Sequence, residues 1–246
     1  MSTDTVMASL LLGVGFIVLM GLRILRGKKG PDPMVRPLPV FQELKTEVGY
    51  AAESGGGLHI ALGNGSLYGQ SAITSVAALQ LFSSLSDTMV AYDAPPIVTV
   101  GDPTLLPLAQ DILRRTYERV GQAKLFDPRQ VWFVAPSPVA YAAGAAQVSA
   151  LEPISAEMVI GDFSAEVGFI GQSSMRHGIS SLAAVAAPAA IGALYPATSR
   201  LAMGEEMFAG SAQVTGERRH VLALLAQDVL RLILILAILT SALLAM

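Results

Sequence analysis

The densest run of residues able to do chemistry is Gly63-Asn64-Gly65-Ser66-Leu67-Tyr68-Gly69. It follows the apolar run LHIAL and precedes SAITSVAALQLF. A glycine loop between a strand and a helix can bring backbone N–H groups up to a phosphate, helped by the positive end of the helix. The spacing is GxGxxxG, not the dinucleotide GxGxxG, and no acidic residue ends a second strand about twenty positions on. Two readings stand: a loop for a nucleotide or small anion, or a tight turn that needs glycine conformations. Asp102 and Thr104 follow the run IVTV, and Ser137 and Tyr141 follow VWFVA. In a parallel sheet the loops after the strands share one edge, where ligands bind. Gly63, Asn64, Gly65, Ser66, Gly69, Asp102, Thr104, Ser137 and Tyr141 therefore form one candidate ligand site. The competing reading makes all three loops helix caps.

Enzyme chemistry has little support. No GxxxxGK[ST], HExxH or GxSxG pattern occurs, and the absence of cysteine removes thiolate nucleophiles, thiolate metal sites and disulfides. His59, His177 and His220 are scattered. His59 lies in an apolar strand and reads as a satisfied core residue. Glu205 and Glu206 are adjacent, so on a helix their side chains diverge. No catalytic residue, metal ligand or cofactor is assigned.

These loops need a scaffold of alternating elements. LHIAL (58–62), IVTV (97–100), VWFVA (131–135) and the run around Met158–Ile160 read as strands bounded by Gly, Pro or Asp. Longer helical patterns separate them. Leu105, Leu108, Ala109, Ile112, Leu113 and Val120 make one apolar helix face. Asp102-Pro103 and Ser137-Pro138 each read as a capping side chain before a proline at the first helical position. Strand, cap, helix, strand is the βαβ pattern, so a three-layer, Rossmann-like α/β domain with a mostly parallel sheet is expected. GDFSAEVGFIG suggests an added hairpin, Met158–Phe163 with Glu166–Gly171. ISSLAAVA and Ser199–Gly204 are candidates for further strands. The Ala-rich segment 179–194, broken by Pro188, reads as domain core in preference to a third membrane span.

The chain of 246 residues is 52% hydrophobic but only 14% charged, against about 25% charged in soluble domains. A net charge of -3 with no basic face argues against nucleic acid. The apolar bias is strongest at the ends. Residues 6–25 are long enough, at about 1.5 Å per residue, to cross a bilayer core, with a basic residue near their end (23) and others just after it (26, 28 and 29). Residues 229–246 form a second candidate span, entered through Arg218, Arg219 and His220. Both basic flanks point to the cytoplasm, which leaves the short termini (1–5 at the start) outside a bacterial inner membrane. A basic, Pro-rich linker (26–40) then leads into a cytoplasmic domain (41–220), and 221–246 carries the entry and second span. Ser9 and Gly13 form a small-xxx-small pair suited to helix contact. Asp228 and Arg231, at i,i+3, could pair at an interface or snorkel to headgroups.

The blocks ESGGGLHIALG, PPIVTVGDPTLLPLAQDILRR, APSPVAYAAG, GEEMFAG and LLAQDVLRLILILAIL together resemble an uncharacterised family of bacterial membrane proteins, a domain of unknown function. The resemblance runs from about Pro39 to the end. It implies a membrane-anchored cytoplasmic domain and assigns no activity, cofactor or site residue. The leading expectation is a non-enzymatic assembly or scaffold module whose partners are the lipid bilayer, further copies of itself and another membrane protein. A membrane-tethered sensor binding a nucleotide or small anion is the alternative. An enzyme acting on a lipid or quinone headgroup is the second alternative.

Overall fold

A computed structural model describes Gly15 and residues 36–94, 96–216, 221–222, 224, 227–235 and 238. The chain divides into two compact units. One is Pro37–Val214, and the other combines Met1–Arg36 with Thr215–Met246.

The unit Pro37–Val214 opens with helix α1 (Pro39–Ser54), which has a proline in its first turn and buries Phe41, Leu44, Val48 and Ala51 at helical spacing. Then come β1 (Gly57–Gly63), α2 (Ala72–Ala91), β2 (Pro96–Val100), α3 (Leu106–Arg119), β3 (Val131–Phe133), α4 (Pro138–Ala146) and α5 (Val148–Leu151). The chain continues through β4 (Ile154–Asp162), α6 (Gly168–His177), β5 (Ser180–Val185), α7 (Pro188–Leu194), β6 (Arg200–Met203) and α8 (Gly210–Thr215). The six strands form one sheet in the order β3-β2-β1-β4-β5-β6, and every neighbouring pair is parallel.

Parallel strands need crossover helices, and these cover both faces. Residue by residue, β1 is buried throughout. Leu58, Ile60, Leu62, Val98, Met158 and Ile160 face the core made with α1, α2 and α3. Ala61, Val159, Ala183 and Val185 face the opposite core, made with Tyr141, Ala145, Ile170 and Leu194.

Two expectations are corrected. Among the described residues the 158–171 segment is not a hairpin, because β4 ends at Asp162 and α6 begins at Gly168. Val167, Ile170, Gly171 and Ser174 are buried with helical spacing, and Gly171 lets α6 approach Leu194 of α7. The buried face of α3 also differs. Leu108 is exposed, whereas Thr116 and Tyr117 are buried. Thr116 can go inside because its hydroxyl pairs with Ser86 (3.0 Å) and bonds Asp87 (3.2 Å) on α2. The segment 179–194 divides into β5 and α7, in keeping with a domain core.

The other unit is helical at residues 221–222, 224, 227–235 and 238. Among the described residues no helix is long and apolar enough to cross a membrane. The first candidate span, apart from Gly15, and most of residues 236–246 lie outside the described residues.

The rotated α3 face has a measurable consequence. Leu113→Ala should lose about 2–5 kcal/mol in chemical denaturation, since Leu113 is fully buried. Leu108→Ala should change stability by less than about 0.5 kcal/mol. Similar losses for both would restore the face expected from sequence.

Candidate functional site

The strand order reverses between β1 and β4, since β2 and β3 extend one way from β1 while β5 and β6 extend the other way from β4. In open α/β sheets a crevice opens outside the carboxyl ends of the strands at this point. Three loops meet there. The β1 loop is tied to the end of β4 by Asn64 N–H donating to the Asp162 carbonyl (3.0 Å). It is tied to the β2 loop by Gly101 N–H donating to the Gly63 carbonyl (2.9 Å). Leu67 N–H also donates to Thr104 Oγ1 (3.2 Å), and the Thr104 hydroxyl and amide both donate to Asp102 Oδ1.

The close approach requires glycine at two positions. A Cβ on Gly101 would collide with Asn64 Oδ1 and come within 2.9 Å of the Tyr141 ring. A Cβ on Gly65 would collide with Ser75 Oγ and come within 2.8 Å of Asp162 Cβ. The groups that crowd these glycines are short of partners. Both amide atoms of Asn64 and the hydroxyl of fully buried Ser75 have no hydrogen-bond partner among the described residues. No described residue donates to the Asp162 carboxyl. Burial, and then the Glu166 charge, hold that carboxyl above its ordinary 3.8.

Beneath the crevice lies a buried polar row. His59 on β1 is directly opposite Glu157 on β4, with Nδ1 and Oε1 2.5 Å apart. His59 Nε2 meets Thr99 Oγ1 at 2.9 Å. Ser174 and Ser149 hydroxyls donate to Glu157 Oε2. Tyr141 Oη lies 3.2 Å from Thr99 Oγ1, donates to the Thr99 carbonyl and accepts Gly63 N–H (3.3 Å). Burial pushes the Tyr141 hydroxyl well above its ordinary range, so it stays protonated and keeps its hydrogen to donate. The row thus runs without interruption from α6 to the first residue of the glycine loop. The expectation of a satisfied core histidine is met.

The structure brings Gly63, Asn64, Gly65, Ser66, Asp102, Thr104 and Tyr141 together, with Tyr141 beneath the loop and fully buried. Gly69 opens an exposed 3-10 turn. Ser137 occupies the cap position of α4 with Pro138 behind it, but its hydroxyl makes no capping bond. Asp102 does not cap α3 itself, which starts at Leu106. It holds the preceding turn through Thr104. Asp228 and Arg231 occupy exposed helical positions, and Ser9 and Gly13 lie outside the described residues. Sequence reasoning missed Ser75, Asp162 and Glu157. The hairpin reading hid Asp162, which ends a strand by the same rule that singled out Asp102. Among the described residues no three His, Asp or Glu side chains converge to hold a metal.

A family model for the domain of unknown function DUF6754 matches residues 2–246. The chain belongs to that family. No curated protein and no solved structure matches it. The DUF6754 chain thus carries its candidate chemistry in its own geometry: unpartnered polar groups at the switch point, next to a hydrogen-bonded polar row.

Two measurements follow. His59→Leu or Glu157→Met alone leaves one buried polar partner and should cost about 3–5 kcal/mol. The double variant should recover most of that loss in a double-mutant cycle. Additive losses would mean that the two side chains act separately. For Asp162, a raised native carboxyl value means the folded state holds the proton more tightly than the unfolded chain. Stability contributed by protonation is present at acid pH and fades as pH rises through the carboxylate range. Asp162→Asn should therefore raise the melting temperature at pH 7 and leave it unchanged below the ordinary value of 3.8. A loss at pH 7 would contradict this.

Proposed function

We propose that this DUF6754 chain is a small-molecule-binding sensor module held at a bacterial inner membrane by its two apolar ends. Its α/β unit would be cytoplasmic and its termini outside. The observation that carries the ligand reading is the strand order β3-β2-β1-β4-β5-β6, which puts the Gly63–Gly69 loop at the switch point of a doubly wound sheet. Buried groups without partners beside Gly65 and Gly101 add support, because a native interior rarely leaves such groups unmet.

The membrane reading draws on the composition of residues 6–25 and 229–246 and on the surface of the second segment. Leu232, Ile233, Leu234 and Ile235 are all exposed although they are consecutive in a helix, and Ile238 follows them. An apolar surface on every side of a helix calls for lipid or another helix to cover it. The same observation favours a second reading, a scaffold that assembles through these segments. Mass photometry of the detergent-purified chain separates the two readings: concentration-dependent oligomers favour the scaffold and a monomer removes it.

The test of the sensor reading has two parts. Full-length chain should float with liposomes and resist alkaline carbonate extraction, and release by carbonate would remove the anchor. A thermal-shift screen of small metabolites should find at least one that raises the melting temperature. Gly65→Val, whose side chain would collide with Ser75 and Asp162 and displace the loop, should abolish that shift. A shift that survives Gly65→Val would place the ligand elsewhere.

A further inference from the structure

We infer that the crevice at Gly65 takes a small molecule rich in hydrogen-bond donors, through hydroxyl or amine groups, and not a phosphate ester. This rests on the reading that the crevice is a ligand site, and narrows it.

The first observation is that four amides of the loop, those of Asn64, Ser66, Leu67 and Tyr68, are spent within the chain. Asn64 N–H donates to the Asp162 carbonyl (3.0 Å) and Ser66 N–H to Ser71 Oγ (3.0 Å). Leu67 N–H donates to Thr104 Oγ1 (3.2 Å) and Tyr68 N–H to Ser66 Oγ (3.2 Å). A phosphate cradle works by turning such amides toward the anion. Here hydroxyls of the chain itself take the place that phosphate oxygens would fill.

The second observation is the charge of the edge. No lysine or arginine occurs between Lys45 and Arg114, or between Arg129 and Arg176, so the loops after β1, β2, β3 and β4 contain none. The same loops carry Asp102, Asp162 and Glu166. A phosphate brought here would meet carboxylates with no cation to offset them, whereas phosphate sites are ordinarily built with arginine or lysine.

The third observation points to a ligand directly. Ser75 is fully buried with an unpartnered hydroxyl aimed at Gly65, and the Asn64 carboxamide beside Gly101 is unpartnered at both atoms. The Asp162 carboxyl next to Gly65 and Oδ2 of Asp102 accept no hydrogen bond from any described residue. Two carboxylates, an amide and a hydroxyl offer mostly acceptors, and acceptors call for a ligand that supplies donors. A vicinal diol or an ammonium group does so, and a carboxylate strengthens the bond to either.

The experiment is calorimetric titration of the full-length chain in nanodiscs with adenosine, ATP, spermidine and inorganic phosphate. Adenosine or spermidine should bind, and which of the two binds separates a hydroxyl from an amine ligand. ATP should bind no more tightly than adenosine, and phosphate should not compete. Asp162→Asn keeps the shape and should stay folded. It should weaken the bound probe about tenfold or more, as expected for loss of a charged hydrogen bond. ATP or phosphate binding tenfold more tightly than adenosine would overturn the donor-rich ligand while leaving the crevice as the site. An unchanged affinity in Asp162→Asn would also overturn it. If none of the four probes binds, this inference falls, and the crevice reading is decided by the wider thermal-shift screen.

Discussion

His59 and Glu157 face each other across the two central strands with no access to solvent. A pair of this kind allows one register only. Side chains alternate between the faces of a strand, so a slip of one residue between β1 and β4 would turn one partner into the apolar core on the other face. There it would meet Leu58, Met158 and their neighbours with no polar group to answer it. The pair therefore fixes β1 against β4, and the rest of the sheet extends outward from those two strands. Replacing such a pair by well-packed apolar residues is often neutral or stabilising, so its use here is better described as specification than as stability.

The carboxyl ends of the same two strands place the chemistry. His59 lies opposite Glu157, and a one-residue shift between Ala61 and Gly63 then brings Gly63 level with Asp162 at the carboxyl ends, where the two loops are held against each other. Thr99 and Tyr141 carry the polar row up to Gly63 N–H, so the loop is supported from below by groups whose hydrogen bonds are already made. Beside it, the side chains of Asn64, Ser75 and Asp162 are left without hydrogen-bond partners among the described residues. Support by engaged side chains beside groups left open is the arrangement of a preorganised site, although Ser181 Oγ, next to Glu157 on β5, is also unpartnered. The burial that raises the Asp162 carboxyl works against folding at neutral pH, a local cost that a ligand-binding role would explain.

Much of the architecture was legible in the sequence because its signals are local. Short β-branched runs bounded by Gly, Pro and Asp gave β1 and β2 almost to the residue, and a three-layer parallel sheet followed from strand–helix alternation. The failures arose where tertiary contacts override local pattern. Gly161 and Gly168 flank GDFSAEV as turn residues would, yet Val167, Ile170 and Ser174 are buried by packing on α4 and α7, which no window of eleven residues contains. Leu108 looked buried because it is apolar, but Thr116 goes inside in its place through Ser86 and Asp87 on a neighbouring helix. The candidate site was half legible. The glycine loop, Asp102 and Thr104 were marked by type and position. Glu157 carries no sequence signal beyond being a charge in an apolar run, and its partner lies 98 residues away.

The central claim is that the switch-point crevice is a ligand site. A structure of the full-length chain in lipid, at a resolution that shows ordered small molecules, tests it most directly. The account predicts density within hydrogen-bond reach of Ser75 Oγ, the Asn64 carboxamide and the Asp162 carboxyl, larger than a single water. A closed crevice in which these three groups satisfy one another, or meet only isolated waters, would contradict it.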